Sequence, residues 1–405
     1  MMGNTSTVVI MAAGEGARMR PLTGTRPKVM LPVAGKPILE HLLTECAAAG
    51  AGDFILVVGY HDEAVRNYFT DGSKWGVNIR YVIQRQPAGT ADALRQSSHL
   101  LGTAFVLLNG DIMLKSVDIV PLISAETNLI SIVELPNVEG KGVIETRGGQ
   151  VVRLYEKCTN PPTRLANAGV YHFTGDILKF VQQTPISPRG EYEITDTVQA
   201  LIDAGIPVGY RLVSTWSELS YPWDLLQANE SALANCPPSV EGMIEPGATI
   251  TGSVAIGDGS LIKAGSYITG PVKIGRNCVI GPNCHIRPAT DIGDDCHIGS
   301  GVEIKNSIIM TGTRIPHLSY VGDSIIGQNC NLGAGTQIAN LRLDKKTIAV
   351  NGINTGRQKL GGIFGDGVVT GINASINPGT MVGHRARIGP GAAAKGVLAP
   401  GATVY

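Results

Sequence analysis

Isoleucine recurs at every sixth position along one stretch of this chain: Ile244, Ile250, Ile256, Ile262, Ile268, Ile274, Ile280, Ile286, Ile292, Ile298 and Ile304. A period of six matches neither a helix nor a simple alternating strand. It matches a chain that turns a corner after each short strand and points one aliphatic side chain inward per face, the pattern of a β-helix built from hexapeptides. Three hexapeptides make one triangular coil, and stacked coils pair as parallel strands. The period fails after Ile304 and resumes in a new phase at Ile326, Leu332 and Ile338. It fails again over residues 341–362 and returns through Phe364, Thr370, Ile376, Val382 and Ile388. Repeat proteins tend to carry their insertions on one binding face, so both interruptions are candidate functional segments.

The heavy use of glycine (52 residues) suits the tight corners of such a solenoid. Seven cysteines occur without a CxxC pair. Cys278, Cys284, Cys296 and Cys330 each stand two residues before an inward aliphatic, where other repeats have Ala248, Ser260 or Ser266. The position wants a small side chain, so packing is expected there rather than metal or disulfide chemistry. Lysine and arginine (33) balance aspartate and glutamate (33), which leaves no global field to recruit nucleic acid or an anionic membrane. The apolar run at residues 8–13 is short and lacks a preceding basic segment. It reads as a first buried strand rather than a leader or a span, and a cytoplasmic location is expected.

Residues 7 to about 230 alternate short apolar runs with helical patterns. Strands are expected at 8–11, 54–58, 79–83 and 104–108, and helices at 38–49, 62–69 and 90–101. This alternation implies a Rossmann-like α/β domain with a mixed, mostly parallel sheet covered on both faces. Its ligands should sit beyond the carboxyl ends of the strands. A closing helix is expected at 221–234, broken by Asn235-Cys236-Pro237-Pro238. The expected domains are therefore 1–234 and 235–405, the second a left-handed parallel β-helix.

Three loops of the first domain carry chemistry. After the first strand comes Ala12-Ala13-Gly14-Glu15-Gly16-Ala17-Arg18-Met19-Arg20-Pro21-Leu22-Thr23, then Arg26-Pro27-Lys28. Glycines let backbone N–H groups crowd around an anion, and Arg18 and Lys28 add charge. Met19 breaks the dinucleotide fingerprint, and the Walker spacing is absent. Next, Gln84-Arg85-Gln86-Pro87-Ala88-Gly89-Thr90-Ala91 ends one strand and opens a helix. Gln84 can read a base edge there, with Gly89 and Thr90 admitting a base or ribose close to the backbone. Finally, Asn109-Gly110-Asp111 ends another strand, where Asp111 is either a turn former or a ligand for Mg²⁺. In the first interruption lies Pro316-His317-Leu318-Ser319-Tyr320-Val321-Gly322-Asp323. Its histidine is either a surface residue or a base near neutral pH.

The combination A-A-G-x-G-x-R-M-x-P-L-T with P-K, Q-x-x-x-x-G-T-A and N-G-D resembles sugar-1-phosphate nucleotidylyltransferases. The order of that domain before hexapeptide repeats is similar to the bifunctional N-acetylglucosamine-1-phosphate uridylyltransferase/glucosamine-1-phosphate acetyltransferase family, in an archaeal-like branch. The resemblance implies that Ala13, Gly14, Arg18 and Lys28 hold the triphosphate, with Gln84, Gly89 and Thr90 around base and ribose. It implies a sugar-phosphate site at Gly142, Glu156, Lys157 and Asn167. It further implies Mg²⁺ at Asp111 and Glu218, a glutamate standing where the family has aspartate; Asp224 is the other carboxylate nearby. In the β-helix it implies His317 as general base and an amino-sugar-phosphate site of Arg287, Lys305, Tyr320, Asn331, Asn340 and Lys346. Lys346 would come from a neighbouring subunit, and Ala334 would lie along the acetyl-CoA groove.

The implied function is acetyl transfer from acetyl-CoA to glucosamine-1-phosphate or galactosamine-1-phosphate, followed by uridylyl transfer from UTP (or dTTP as nucleotide) with pyrophosphate release. The implied assembly is a homotrimer. The alternatives are a monofunctional glucose-1-phosphate uridylyl- or thymidylyltransferase with a structural β-helix, and a regulatory paralogue with inactive sites.

Overall fold

A computed structural model describes residues 7–157 and 160–405. The chain forms two compact units. The first comprises residues 1–15, 27–30 and 38–218, of which 1–6 and 158–159 lie outside the described residues; the second comprises 16–26, 31–37 and 219–405.

The first unit is built on one mixed sheet. Its strands are β1 (Thr7–Ala12), β2 (Asp53–Val58), β3 (Asn78–Ile83), β4 (Ala104–Asn109), β6 (Leu129–Glu134), β7 (Gly142–Arg147), β8 (Gln150–Glu156), β9 (Leu165–Thr174) and β10 (Gly209–Leu212). A separate two-stranded ribbon pairs β5 (Ile112–Met113) with β11 (Ser217–Glu218). The sheet order is β3-β2-β1-β4-β9-β6-β10-β8-β7. Strands β3, β2, β1 and β4 run parallel, and β9 is antiparallel to β4 and β6. Val8, Val9 and Ile10 of β1 are all fully buried, as a strand covered on both faces requires.

Helices α1 (Ile38–Ala48), α2 (Asp62–Phe69), α3 (Thr90–Ser97), α4 (Ser116–Ile123), α5 (Ile177–Gln183) and α6 (Ile194–Asp203) accompany the sheet. One apolar cluster gathers Leu39, Leu42 and Leu43 of α1 with Val8, Ile10 and Phe54. Another gathers Val198 and Leu201 of α6 with Val9, Ile55 and Phe173. The helix expected over 90–101 ends at Ser97 and finishes as a 3₁₀ turn, Ser98–Leu100.

The second unit contains three parallel sheets whose strands recur in turn along the chain, the arrangement of a parallel β-helix. In one sheet Ile256 pairs with Ile274, Ile274 with Ile292 and Ile292 with Ile309, so identical side chains stack inward. The seat before each inward aliphatic is filled as the sequence suggested: Cys278, Cys284, Cys296 and Cys330 are buried and free. Ser260 shows the physics of that seat, because its Oγ donates to Gly275 O and accepts from Cys278 N on the next coil. Helix α7 (Asp224–Leu233) belongs to this unit and is shorter than the span expected.

Two expectations about the comb are corrected. Ile244 is 37 % exposed and Ile250 only partly buried, because no coil precedes theirs to cover them. The first interruption is not a break in the coil. Ile292, Ile298 and Ile304 pair with Ile309, Ile315 and Val321, so one residue is dropped while the inward column continues. The second interruption is a true insertion. Strand Ile325–Ile326 pairs directly with Ile363–Phe364, and the inserted residues 341–362 contain a hairpin of Ala349–Val350 with Ile353–Asn354.

Within the second unit, residues 16–26 and 31–37 are tied to the solenoid. Arg26 pairs with Asp366, which also accepts from Thr25. Gly35 N donates to Asp291 at 2.7 Å, and Lys273 Nζ donates to Ala34 O at 2.9 Å.

Candidate active sites

In the first unit, the carboxyl ends of parallel strands carry the expected groups. Ala13 and Gly14 follow β1, Gln84 follows β3, and Asp111 follows β4. A Cβ at Gly14 would meet nothing within 4 Å, so this loop borders open space. Lys28 is 7 % exposed, and its Nζ pairs with Asp111 Oδ2 at 2.7 Å. Arg18 lies in the second unit, its guanidinium 5.5 Å from the centre of the Tyr221 ring.

Gln84 is buried, and its Nε2 donates to Gly89 O (3.1 Å) and Asp92 Oδ2 (2.8 Å). Asp92 as a carboxylate only accepts, so the amide orientation is set by chemistry. Both Gln84 donors are spent, and Oε1 is what it can offer a base. Gly89 and Thr90 are held by the fold as well as facing the loop. A Cβ at Gly89 (φ +108°) would sit 2.4 Å from Tyr192 O, and Thr90 Oγ1 accepts from Ile194 N.

Glu218 on β11 faces Ile112, the residue after Asp111, across the two-stranded ribbon. It pairs with Lys141, whose ammonium also lies 5.6 Å from the Trp216 ring. Asp224 is otherwise engaged: its Oδ2 accepts from the Ser220 and Tyr221 amides.

Glu156 and Gly142 are paired on β8 and β7. A Cβ at Gly142 would come within 3.1 Å of Glu156 Oε2 and 3.5 Å of Asn167 Cβ, so these three residues form one corner. Asn167 donates to Tyr171 Oη at 2.7 Å and accepts from Gly169 N. Burial raises the Glu156 carboxyl above its ordinary pKa, opposed by the cation of Arg189, whose Nη1 donates to Glu156 at 3.1 Å. Lys157 adopts a left-handed φ of +50° directly after this strand.

In the second unit, Lys305 and Asn340 meet at the Asp323 carboxylate, Tyr320 joins them through Asn340, and Arg287 is held by Glu303 on the adjoining strand. Arg287 Nη1 donates to Glu303 at 2.8 Å. Glu303 pairs in register with Tyr320, and Lys305 with Gly322. Lys305 Nζ donates to Asp323 Oδ2 at 3.3 Å, and Asn340 Nδ2 donates to both Tyr320 Oη (3.2 Å) and Asp323 Oδ2 (2.5 Å). Burial and the Asp323 and Glu303 carboxylates push the Tyr320 hydroxyl pKa upward.

His317 ends the strand Arg314–His317, opposite Ser300, and is exposed. Its carbonyl accepts from Ser319 Oγ and Gly335 N, which fixes the corner carrying the imidazole. Asn331 stands on the same sheet as His317, opposite Arg314, and not on the sheet that carries Lys305 and Tyr320. Ala334 O accepts from Asn373 N, and Lys346 is exposed in the insertion beside Asp344. These three residues are not part of the network around Asp323.

Comparison with known proteins agrees with both halves. A family model described as nucleotidyl transferase matches residues 7–235, one described as GMPPB C-terminal domain matches 268–368, and one described as hexapeptide repeat of succinyl-transferase matches 247–270. A bifunctional protein GlmU of Methanococcus maripaludis strain C7 is 43% identical over 94% of this chain and 92% of its own. A bifunctional sugar-1-phosphate nucleotidylyltransferase/acetyltransferase of Sulfurisphaera tokodaii is 36% identical over 95% and 96%. This chain belongs to that bifunctional family. It is an enzyme with a nucleotidyltransferase half and an acetyltransferase half. A crystal structure titled a putative glucose-1-phosphate thymidylyltransferase from Bacillus anthracis has the fold of the first half; it is 24% identical, with a TM-score of 0.53 over 58% of this chain and 98% of its own.

Against the family's two reactions, four charged residues passed over in the sequence gain importance: Lys141, Arg189, Glu303 and Asp323. Lys141 directly precedes Gly142, and Asp323 closes the segment that holds His317 and Tyr320. Arg189 and Glu303 carried no local signal, because their partners Glu156 and Arg287 are remote in sequence. Among the described residues no three His, Cys, Asp or Glu side chains converge as a metal cage. Asp111 and Glu218 are instead two part-exposed carboxylates, each beside a lysine. That donor set fits a hard divalent ion which completes its shell with phosphate oxygens and water.

No helix among the described residues is long and apolar enough to cross a membrane.

Proposed function

We propose that the second half (235–405) acetylates glucosamine-1-phosphate, or its galactosamine epimer, with acetyl-CoA, and that the first half (1–234) then couples the product to UTP, or dTTP, with release of pyrophosphate. The observation that carries the pairing is that Arg287, Lys305, Tyr320 and Asn340 gather on one solenoid face, with His317 at the corner that precedes Tyr320. It combines cations for a phosphate, hydrogen-bonding groups for a sugar and a base for an amine.

At the second site His317 takes a proton from the acceptor amine as its nitrogen attacks the acetyl-CoA thioester carbonyl; the C–S bond breaks and coenzyme A leaves as the thiol. Arg287 and Lys305 bind the phosphate, and Tyr320, Asn331 and Asn340 the sugar. Lys346 from a neighbouring protomer completes the site of a homotrimer, with Ala334 along the acetyl-CoA groove. Lys346 is exposed in the insertion, where it is available to a neighbouring protomer.

At the first site a phosphate oxygen of the sugar-1-phosphate attacks the α-phosphorus in line. The nucleophile is already ionised, so orientation and charge neutralisation carry the step. Ala13, Gly14, Arg18 and Lys28 hold the triphosphate, Lys28 moving its charge from Asp111 to phosphate. Gly142, Glu156, Lys157 and Asn167 hold the sugar phosphate. Gly89 and Thr90 shape the space for the nucleoside. Gln84, with only Oε1 to offer, favours a base bearing an N–H, as uracil and thymine do at N3. Asp111 and Glu218 hold Mg²⁺, which when bound neutralises phosphate charge. A cytoplasmic enzyme suits these soluble substrates.

A matrix of UTP, dTTP and CTP against glucose-, N-acetylglucosamine- and N-acetylgalactosamine-1-phosphate, read by pyrophosphate release, tests the first half. Acetyl-CoA with each amino-sugar-1-phosphate, read by free thiol, tests the second. Pyrophosphate release without thiol release on any amino sugar would leave only the nucleotidyltransferase reading.

A further inference from the structure

We infer that Asp323 is a positioning residue of the acetyl site, setting the orientation of Lys305 and the hydrogen-bonding polarity of Asn340. This rests on the acetyl-site assignment proposed above and extends it to a residue that touches no substrate in it.

Asp323 is 2 % exposed. A carboxylate so buried is costly unless its lone pairs are filled and its charge is matched. Here three side chains donate to it: Lys305 and Asn340 at Oδ2, and Asn306 at Oδ1 (2.8 Å). Lys305 and Asn340 are the pair assigned to phosphate and sugar, so one buried acceptor aligns both.

The consequence for Asn340 is specific. An asparagine amide has two donors and one acceptor oxygen, and it can flip. Asp323 and Tyr320 Oη take both donors, so the flip is fixed and Oδ1 is the atom left to face a ligand. An outward acceptor suits a substrate that donates, such as an ammonium or hydroxyl of an amino sugar. The same network crowds the backbone: a Cβ at Gly322 would lie 2.5 Å from Tyr320 Oη and 2.6 Å from Asn340 Nδ2, so a glycine there keeps the contact open.

The backbone of Asp323 has a separate structural duty. Its carbonyl accepts from Gly361 N, and its φ is +48°. Asparagine tolerates that left-handed conformation and leaves the carbonyl in place. Asp323→Asn therefore removes the negative charge and one acceptor while sparing the corner. Its amide can donate to Asn340 and turn that residue's donors outward.

The test uses the full-length protein with glucosamine-1-phosphate and acetyl-CoA. Asp323→Asn is expected to raise the acceptor KM at least about tenfold, as loss of hydrogen bonds to a charged group does. The kcat, the KM for acetyl-CoA and nucleotidyl transfer should stay within about twofold. Combined with Asn340→Ala, Asp323→Asn should add less than its single effect, because part of it acts through Asn340. An unchanged acceptor KM, full additivity, or a parallel fall of both activities with a lowered Tm would each overturn the inference, the last by showing a purely structural role. If the unsubstituted protein transfers no acetyl group to any amino-sugar-1-phosphate, the acetyl-site assignment itself is overturned, and this inference with it.

Discussion

One amide side chain in each site, Gln84 and Asn340, has one donor on a carboxylate and the other on a second oxygen, and this decides what it can offer a ligand. For Gln84 the partners are Asp92 and Gly89 O. A remaining acceptor discriminates between bases by leaving one of them unpaired, an effect of about 1–3 kcal/mol. Gln84→Ala should therefore reduce the ratio of kcat/KM for UTP over CTP by about tenfold or more; an unchanged ratio would remove Gln84 from base selection. Arg189 supports a second prediction. It opposes the upward push that burial exerts on the Glu156 carboxyl. Removing its charge in Arg189→Met should move any Glu156-dependent acid limb of nucleotidyl transfer to higher pH and raise the sugar-1-phosphate KM. A limb that stays put or moves to lower pH would show that Glu156 does not titrate in this reaction.

At the scale of elements, the solenoid's stability lies in its inward column. Ile298 is fully buried between coils, so Ile298→Ala should cost about 2–5 kcal/mol in chemical denaturation of the second unit. Ile244→Ala, at a part-exposed position on the first coil, should cost less than about 1 kcal/mol; equal costs would mean that the comb does not grade burial as described. This difference also marks how far the sequence could be read. A six-residue period identifies the coil but not its ends, so Ile244 reads the same as Ile298. The phase shift after Ile304 looked like a loop, although the column runs on through Ile309, Ile315 and Val321. A corner can lose a residue without moving the strands, and a periodic count cannot distinguish that from a break. In the sites, motif residues such as Lys28 and Asp111 were legible and do meet, whereas the counter-charges Asp323 and Arg189 were not. Their roles depend on pairings across coils or between distant strands.

Across the whole molecule, one buried acid gives stability a pH dependence unrelated to either reaction. Asp291 accepts from Gly35 N, and burial lifts its carboxyl to about 6, against the pull of Lys273. The folded state then holds a proton that the unfolded chain, with an ordinary carboxyl near 4, releases. Stability from this group is present at low pH and declines as pH rises from about 4 to about 6, by on the order of 3 kcal/mol for a two-unit shift. Asp291→Asn should flatten that slope in melting curves of the second unit, while profiles parallel to the unsubstituted protein would refute the account.

The central claim is that one chain carries two independent transfer sites, and a single paired assay on two variants addresses it. His317→Ala should abolish thiol release from acetyl-CoA with glucosamine-1-phosphate and leave pyrophosphate release from UTP with N-acetylglucosamine-1-phosphate within about twofold. Asp111→Ala should do the reverse. If either substitution, in a protein that still folds and assembles, removed both activities, the two-site account would be wrong.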